Sequence, residues 1–137
     1  MSTVRALIDE RLTRSVINSF FAVHGELGFG FREFIYVSAL ERDLIAKGHK
    51  VDREVAVMVY FRGEPLARQK MDMIVDDKLV VEARSTEYLR PDSTQQLFGY
   101  LCATDLEVGL LLHFGWKARF YRVICENRLK RRSRSRG

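Results

Sequence analysis

Met71-Asp72-Met73-Ile74-Val75-Asp76-Asp77-Lys78-Leu79-Val80-Val81-Glu82-Ala83-Arg84 is the stretch on which the fold turns. Two apolar runs flank the polar triplet Asp76-Asp77-Lys78, and this pattern reads as two strands joined by a tight turn. Each run carries one carboxylate: Asp72 between two methionines, Glu82 after Leu79, Val80 and Val81. An unpaired carboxylate inside an apolar strand is costly, so such positions need a partner or a cation. With a three-residue turn, Val75 faces Leu79 and Asp72 faces Glu82 on one side of the hairpin. A two-residue turn would place the two acids on opposite faces. Arg84 lies two residues beyond Glu82 and points the same way. That cation reads either as an ion pair that satisfies the acids or as a group that orients a phosphate.

Working outward, period-two patterning predicts strands over Val51 to Phe61, Gln69 to Val75 and Leu79 to Arg84, with Gly63-Glu64-Pro65 as a turn. Helical spacing predicts a helix from about Val4 to Val23, on the stripe Val4, Leu7, Ile8, Leu12, Val16 and Phe20. Gly25, Gly28 and Gly30 break it into a loop. A second helix is expected from about Phe31 to Ala46, ended by Gly48. Downstream come a helix from about Ser93 to Ala103, capped by Ser93 or Thr94, a buried strand Val108 to Phe114, and a last strand Ala118 to Ile124. This order predicts a single α/β or α+β domain over residues 1–126, followed by a basic tail over 127–137.

At 137 residues and 47% apolar content the chain fits one soluble domain and no more. Two cysteines, Cys102 and Cys125, are too few for a disulfide framework or a four-ligand zinc site, and they read as small core residues. No apolar run approaches a membrane span, and no signal core is visible, so the expected location is cytoplasmic and off the membrane. The net charge of +5 is lodged in the tail, where Arg128, Lys130, Arg131, Arg132, Arg134 and Arg136 stand among the last ten residues with no acid. Such a run cannot bury apolar area and is expected to be disordered. It reads either as a solvated end or as an arm for phosphates. In the second case affinity for nucleic acid would fall by roughly five decades per decade of salt.

Three further positions bear on chemistry. Glu33 shares the helical stripe of Tyr36, Leu40 and Leu44, which points its carboxylate inward. Gln96 and Tyr100, four apart on a helix, share a face and could line a polar cleft. His24, His49, His113 and Trp116 are assigned no functional role.

The clues stand in a recognisable order: Val23-His24, then Gly28-x-Gly30-Phe31-x-Glu33-x-x-Tyr36, Glu54-Val55, Asp72-x-Ile74-Val75, Val80-Val81-Glu82, Gln96-Leu97-x-x-Tyr100, and Gly109-Leu110-Leu111-Leu112-x-Phe114-Gly115. This ordered set resembles the PD-(D/E)XK nuclease superfamily, and within it the small "GxxExxY" family. The resemblance implies a restriction-endonuclease-like core of order αβββαβ, with a mixed central sheet flanked by helices. It implies Asp72, Glu82 and Glu33 as metal ligands for Mg²⁺ or Mn²⁺, Gln96 and Tyr100 as substrate-positioning residues, and hydrolysis of a phosphodiester by a metal-activated water. Arg84 stands where the family carries lysine, and arginine is a poor general base that can still steady phosphate charge. Lys70, two residues before Asp72, is a candidate substitute.

Three functions follow. The first is a metal-dependent nuclease acting on DNA or RNA through Asp72, Glu82, Glu33 and Arg84. The second is an inactive relative that binds nucleic acid, with the basic tail as its arm. The third is a structural module whose acids and Arg84 form an ion-pair network. A homodimer is compatible with the first two, since a domain this small grips little of a duplex alone.

Overall fold

The computed structural model describes the backbone of residues 3–130 and the side chains of residues 10–130. The elements are α1 (Thr3–Leu27), α2 (Glu33–Ala46), β1 (Val51–Phe61), β2 (Glu64–Val75), β3 (Leu79–Arg84), α3 (Ser93–Cys102), β4 (Val108–Phe114), β5 (Ala118–Ile124) and a 3-10 turn at Asn127–Leu129. The fold is α+β. The strands form one five-stranded sheet in chain order. Neighbours are antiparallel except β3 and β4, which run parallel. A parallel step needs a crossover, and α3 supplies it.

The sheet separates two cores. On one face Val16, Phe20, Tyr36, Leu40 and Leu44 of α1 and α2 pack on Met73, Val81, Leu110, Leu112 and Phe114. On the other, Leu97, Tyr100 and Leu101 of α3 pack on Val57, Met71, Val80 and Leu111. β4 lies between both layers, and residues Gly109 to Phe114 are all buried. Its near-continuous apolar run is thus explained by burial on two faces. Cys125 is buried and Cys102 half-buried, with their sulfurs 2.8 Å apart as free thiols.

Several boundaries differ from the sequence expectation. Helix α1 runs through Gly25 and stops where Gly28 turns to φ +71, its amide donating to His24 O at 2.8 Å. Glycine in mid-helix weakens a helix without ending it; the left-handed backbone does that. The first hairpin turns at Arg62-Gly63, both at positive φ, so β2 starts at Glu64 rather than Gln69. Residues Glu64 to Lys70 are exposed, and backbone pairing rather than burial carries the strand there. Neither Ser93 nor Thr94 caps α3. Asp92 holds the cap position without a side-chain bond, because Arg90 takes its carboxylate at 3.2 Å.

The turn that decides the site has three residues. Val75 pairs with Leu79, Asp76 and Asp77 adopt φ +53 and +58, and the Lys78 amide donates to Val75 O at 3.0 Å. Asp76 is held by the Lys50 amide and by His49, whose ring also meets Ser15.

Candidate active site

The site forms where two strands change face together. In β1, Val51 packs with the α1–α2 core but Val55 and Val57 with the α3 core; in β2, Met73 and Val75 pack with the first and Met71 with the second. Residues at even spacing should share a face, so each strand slips by one. The slip falls at Glu54, at φ +50, and at Asp72, its opposite in the register set by Arg53–Met73 and Val55–Met71. The irregularity aims Asp72 at β3.

There the backbone ladder of β2 and β3, which runs through Met73–Val81, Ile74–Val80 and Val75–Leu79, gives way to side-chain bonds. The Asp72 amide donates to Glu82 Oε2 at 2.6 Å, and the Ala83 amide donates to Asp72 Oδ2 at 2.8 Å. Asp72 is half-buried and Glu82 is 3% exposed. Burial raises the Asp72 pKa, against the Ala83 bond and the charges of Arg84 and Arg53. Burial, then the Asp72 charge, pushes Glu82 up to about 7. Burial, then the charge of Glu82, also raises the Tyr100 phenol.

Arg84 spans this pair and α3. Its Nη1 donates to Ala83 O at 2.9 Å and, more loosely, to Glu82 Oε1 at 3.4 Å. Its Nη2 donates to Gln96 Oε1 at 2.6 Å. Gln96 and Tyr100 also line a cleft of about 400 Å³ with Val59, Tyr60, Gln69 and Gly99. No atom lies within 4 Å of a Cβ placed on Gly99, so this wall is open. A larger hollow of about 560 Å³ lies between α1 and α2 and includes neither acid.

Glu33 is placed differently. It accepts the Ser85 amide at 3.3 Å, and Ser85 Oγ donates to Phe31 O at 2.5 Å. Tyr36, three residues on, donates to Gly28 O at 2.5 Å and lies on the Phe114 ring at 4.3 Å. Glu33 and Tyr36 therefore fasten the glycine loop to the end of β3. Among the described residues no three His, Cys, Asp or Glu side chains gather closely enough to hold a metal. The expected third acid, Glu33, thus has its carboxylate on the Ser85 amide. Lys70 pairs with Glu54 at 3.5 Å and both are exposed. His24 meets Gly115 O at 2.7 Å, and His113 meets Thr86 O at 2.8 Å. Of the tail cations, Arg128 pairs with Glu126, while Lys130 Nζ donates to Thr104 O and Leu106 O. Arg131, Arg132, Arg134 and Arg136 lie outside the described residues.

Two charged neighbours of Asp72 have no role assigned from the sequence, although Glu54 stands in the ordered motif set. Glu54 raises and Arg53 lowers the pKa of Asp72. Their signal was a left-handed glutamate, which residue type does not announce.

The site's two acids suit a hard divalent cation. Both are oxygen donors, both are pushed toward protonation, and Mg²⁺ commonly takes one or two carboxylates and keeps its waters. Curated proteins yield no match. The solved structure of SSO0001 is similar in fold, with TM-score 0.54 and 19% identity over 69% of this chain and 50% of that one. The chain thus spans half the length of that structure. The family model of the PD-(D/E)XK nuclease superfamily matches residues 10–123, so with its hairpin acids and mixed sheet the chain belongs to the PD-(D/E)XK nuclease superfamily.

Proposed function

We propose that the protein is a divalent-metal-dependent nuclease hydrolysing phosphodiester bonds of DNA or RNA. The observation that carries this is the mutual bonding of Asp72 and Glu82, which holds two desolvated carboxylates together at the end of the hairpin. Asp72 and Glu82 would hold Mg²⁺ or Mn²⁺, which when bound supplies an activated water and neutralises phosphate charge. Arg84 stays protonated and steadies the phosphate as charge develops on it. Gln96 fixes the guanidinium plane, and with Tyr100 it lines the cleft that receives the strand. Glu33 keeps the Ser85 loop in place. The ordered motifs from Gly28 to Gly115 support the finer assignment to the GxxExxY family. The cations from Arg128 onward serve as a phosphate-attracting arm, and the protein works in the cytoplasm.

One observation favours a second reading. Arg84 already engages Glu82 and Ala83 O, so a protein cation partly satisfies the pair. On that reading the domain binds nucleic acid without cutting it.

A cleavage assay on labelled DNA and RNA with Mn²⁺ and Mg²⁺ decides. Cutting that disappears in Asp72→Ala supports the nuclease. Silence in the parent with cutting in Arg84→Lys supports the second reading.

A further inference from the structure

We propose that Trp116, backed by Phe29, is a base-stacking platform that makes single-stranded nucleic acid, rather than duplex, the ligand of the candidate site; this rests on the nuclease-type reading above. Trp116 is 69% exposed, yet its surroundings are not those of a loose surface ring. It follows Gly115, whose carbonyl is held by His24 at 2.7 Å. A Cβ at Gly115 would stand 2.9 Å from the His113 ring, so the backbone is packed tight just before the indole. Behind Trp116 lies Phe29, with ring centroids 4.7 Å apart. The turn is clamped and its indole is left to solvent.

The platform and Arg84 share one end of the sheet. Arg84 pairs with His113 across the parallel strands, so Trp116 emerges at the sheet end that carries Arg84. His113 bonds Thr86 O, and Ser85 Oγ donates to Phe31 O, so the β3 exit loop is tied both to β4 and to the segment before α2. Around it Phe31 is 45% and Tyr88 80% exposed. Arg32, Lys117 and Arg119 are exposed in the same segments, beside exposed Glu26 and Glu87. Cations suit a phosphate backbone, while exposed rings suit base faces. Only unpaired strands present those faces; in a duplex they are hidden in the stack.

Trp116 is the single tryptophan, so its emission reports the platform directly. The full chain bearing Asp72→Asn, a change chosen to abolish cutting, is titrated with oligothymidylate, oligouridylate and a blunt duplex. Indole emission and anisotropy of the labelled strand are read together. Single strands are expected to quench Trp116 with the midpoint seen by anisotropy. Trp116→Ala, read by anisotropy, weakens single-strand binding roughly tenfold to a hundredfold, Trp116→Phe retains most of it, and duplex binding is unmoved by either. Anisotropy-detected binding with unmoved emission and an unaffected Trp116→Ala overturns the platform and leaves the nuclease standing. Equal or tighter duplex binding at Trp116 overturns it too, as does quenching by protein concentration alone, which marks a second copy on the patch. Single-strand binding as expected, with no metal-dependent cutting by the parent, keeps the platform and fails the nuclease.

Discussion

Asp72 and Glu82 are cross-bonded: the amide of Asp72 donates to the carboxylate of Glu82, and the amide beyond Glu82 donates to the carboxylate of Asp72. Each acid replaces a ladder bond with a charge-assisted one. Burial nonetheless pushes both carboxyls toward protonation, and the Asp72 charge adds to the push on Glu82. Glu82→Gln keeps an oxygen for the Asp72 amide and removes one charge. Without divalent ions near pH 8, this variant is expected to be more stable by about 1–3 kcal/mol, visible as a rise of a few degrees in Tm. Metal-dependent cutting should be lost. A variant less stable than the parent would mean that the charge at Glu82 supports the fold.

The same pair sets a pH dependence. Folding raises Glu82 from 4.5 to about 7, so between those values the folded chain binds more protons than the unfolded one. Stability contributed by this group is therefore greatest below about pH 4.5, falls as pH rises to about 7, and is level above. Asp72 moves in the same direction. The measurement is the Tm of the parent minus that of Glu82→Gln across this range, which should become more negative with pH. Millimolar Mg²⁺ should lift the parent near pH 8 and have little effect near pH 5, where protons compete for the acids. A difference flat with pH would refute the shift.

The hairpin around Asp76-Asp77-Lys78 was legible because composition and register agree: small polar residues make the turn, and its length fixes which residues face. The buried β4, the α1 stripe from Leu12 to Phe20 and the α2 stripe from Tyr36 to Leu44 were legible for a similar reason, since burial leaves an apolar record; Val4, Leu7 and Ile8 lie outside the described side chains. What was hidden leaves none. Residues Glu64 to Lys70 are exposed on a strand held by backbone pairing, so no periodicity marked them. The left-handed Glu54 opposite Asp72 is imposed by the tertiary arrangement. The stripe that carries Glu33 turns its carboxylate inward, but only the fold puts that carboxylate on the Ser85 amide.

Arg84 reaches Gln96 Oε1 at 2.6 Å, and this bond ties the guanidinium to a residue that lines the cleft. Gln96→Ala frees it at an exposed site, so stability should change by less than about 1 kcal/mol. Cutting should fall about tenfold, mainly in kcat, because a misaimed donor loses transition-state contact first. Arg84→Ala should cost more, about a hundredfold or beyond. If Gln96→Ala changes KM alone, Gln96 contacts substrate and does not act through Arg84.

Arg131, Arg132, Arg134 and Arg136 supply the charge that makes the chain basic. If they neutralise phosphates, removing residues 131–137 should reduce the salt slope of nucleic-acid binding by about 3. The slope is read from affinities measured between low and moderate salt. Binding of single strands to the Trp116 face should survive the truncation, weakened at low salt. An unchanged slope would make the tail a solvated end.

Gly109 is where α3 meets β4. A Cβ there would stand 2.9 Å from Leu97 Cδ1 and 3.1 Å from Cδ2, and Leu97 is 1% exposed. The leucine has no solvent to move into, so Gly109→Ala pushes on α3 itself. Overpacking of this kind costs about 1–3 kcal/mol. Gln96 flanks Leu97 and Tyr100 follows one turn later, so cutting should fall along with Tm. Leu97→Val alone leaves a void and is also destabilising. Together the two changes should offset, with a coupling of about 1 kcal/mol or more in the stabilising direction and activity partly restored. Additive losses in Tm would mean that the helix accommodates the methyl without moving, and that α3 does not transmit packing at Gly109 to the site.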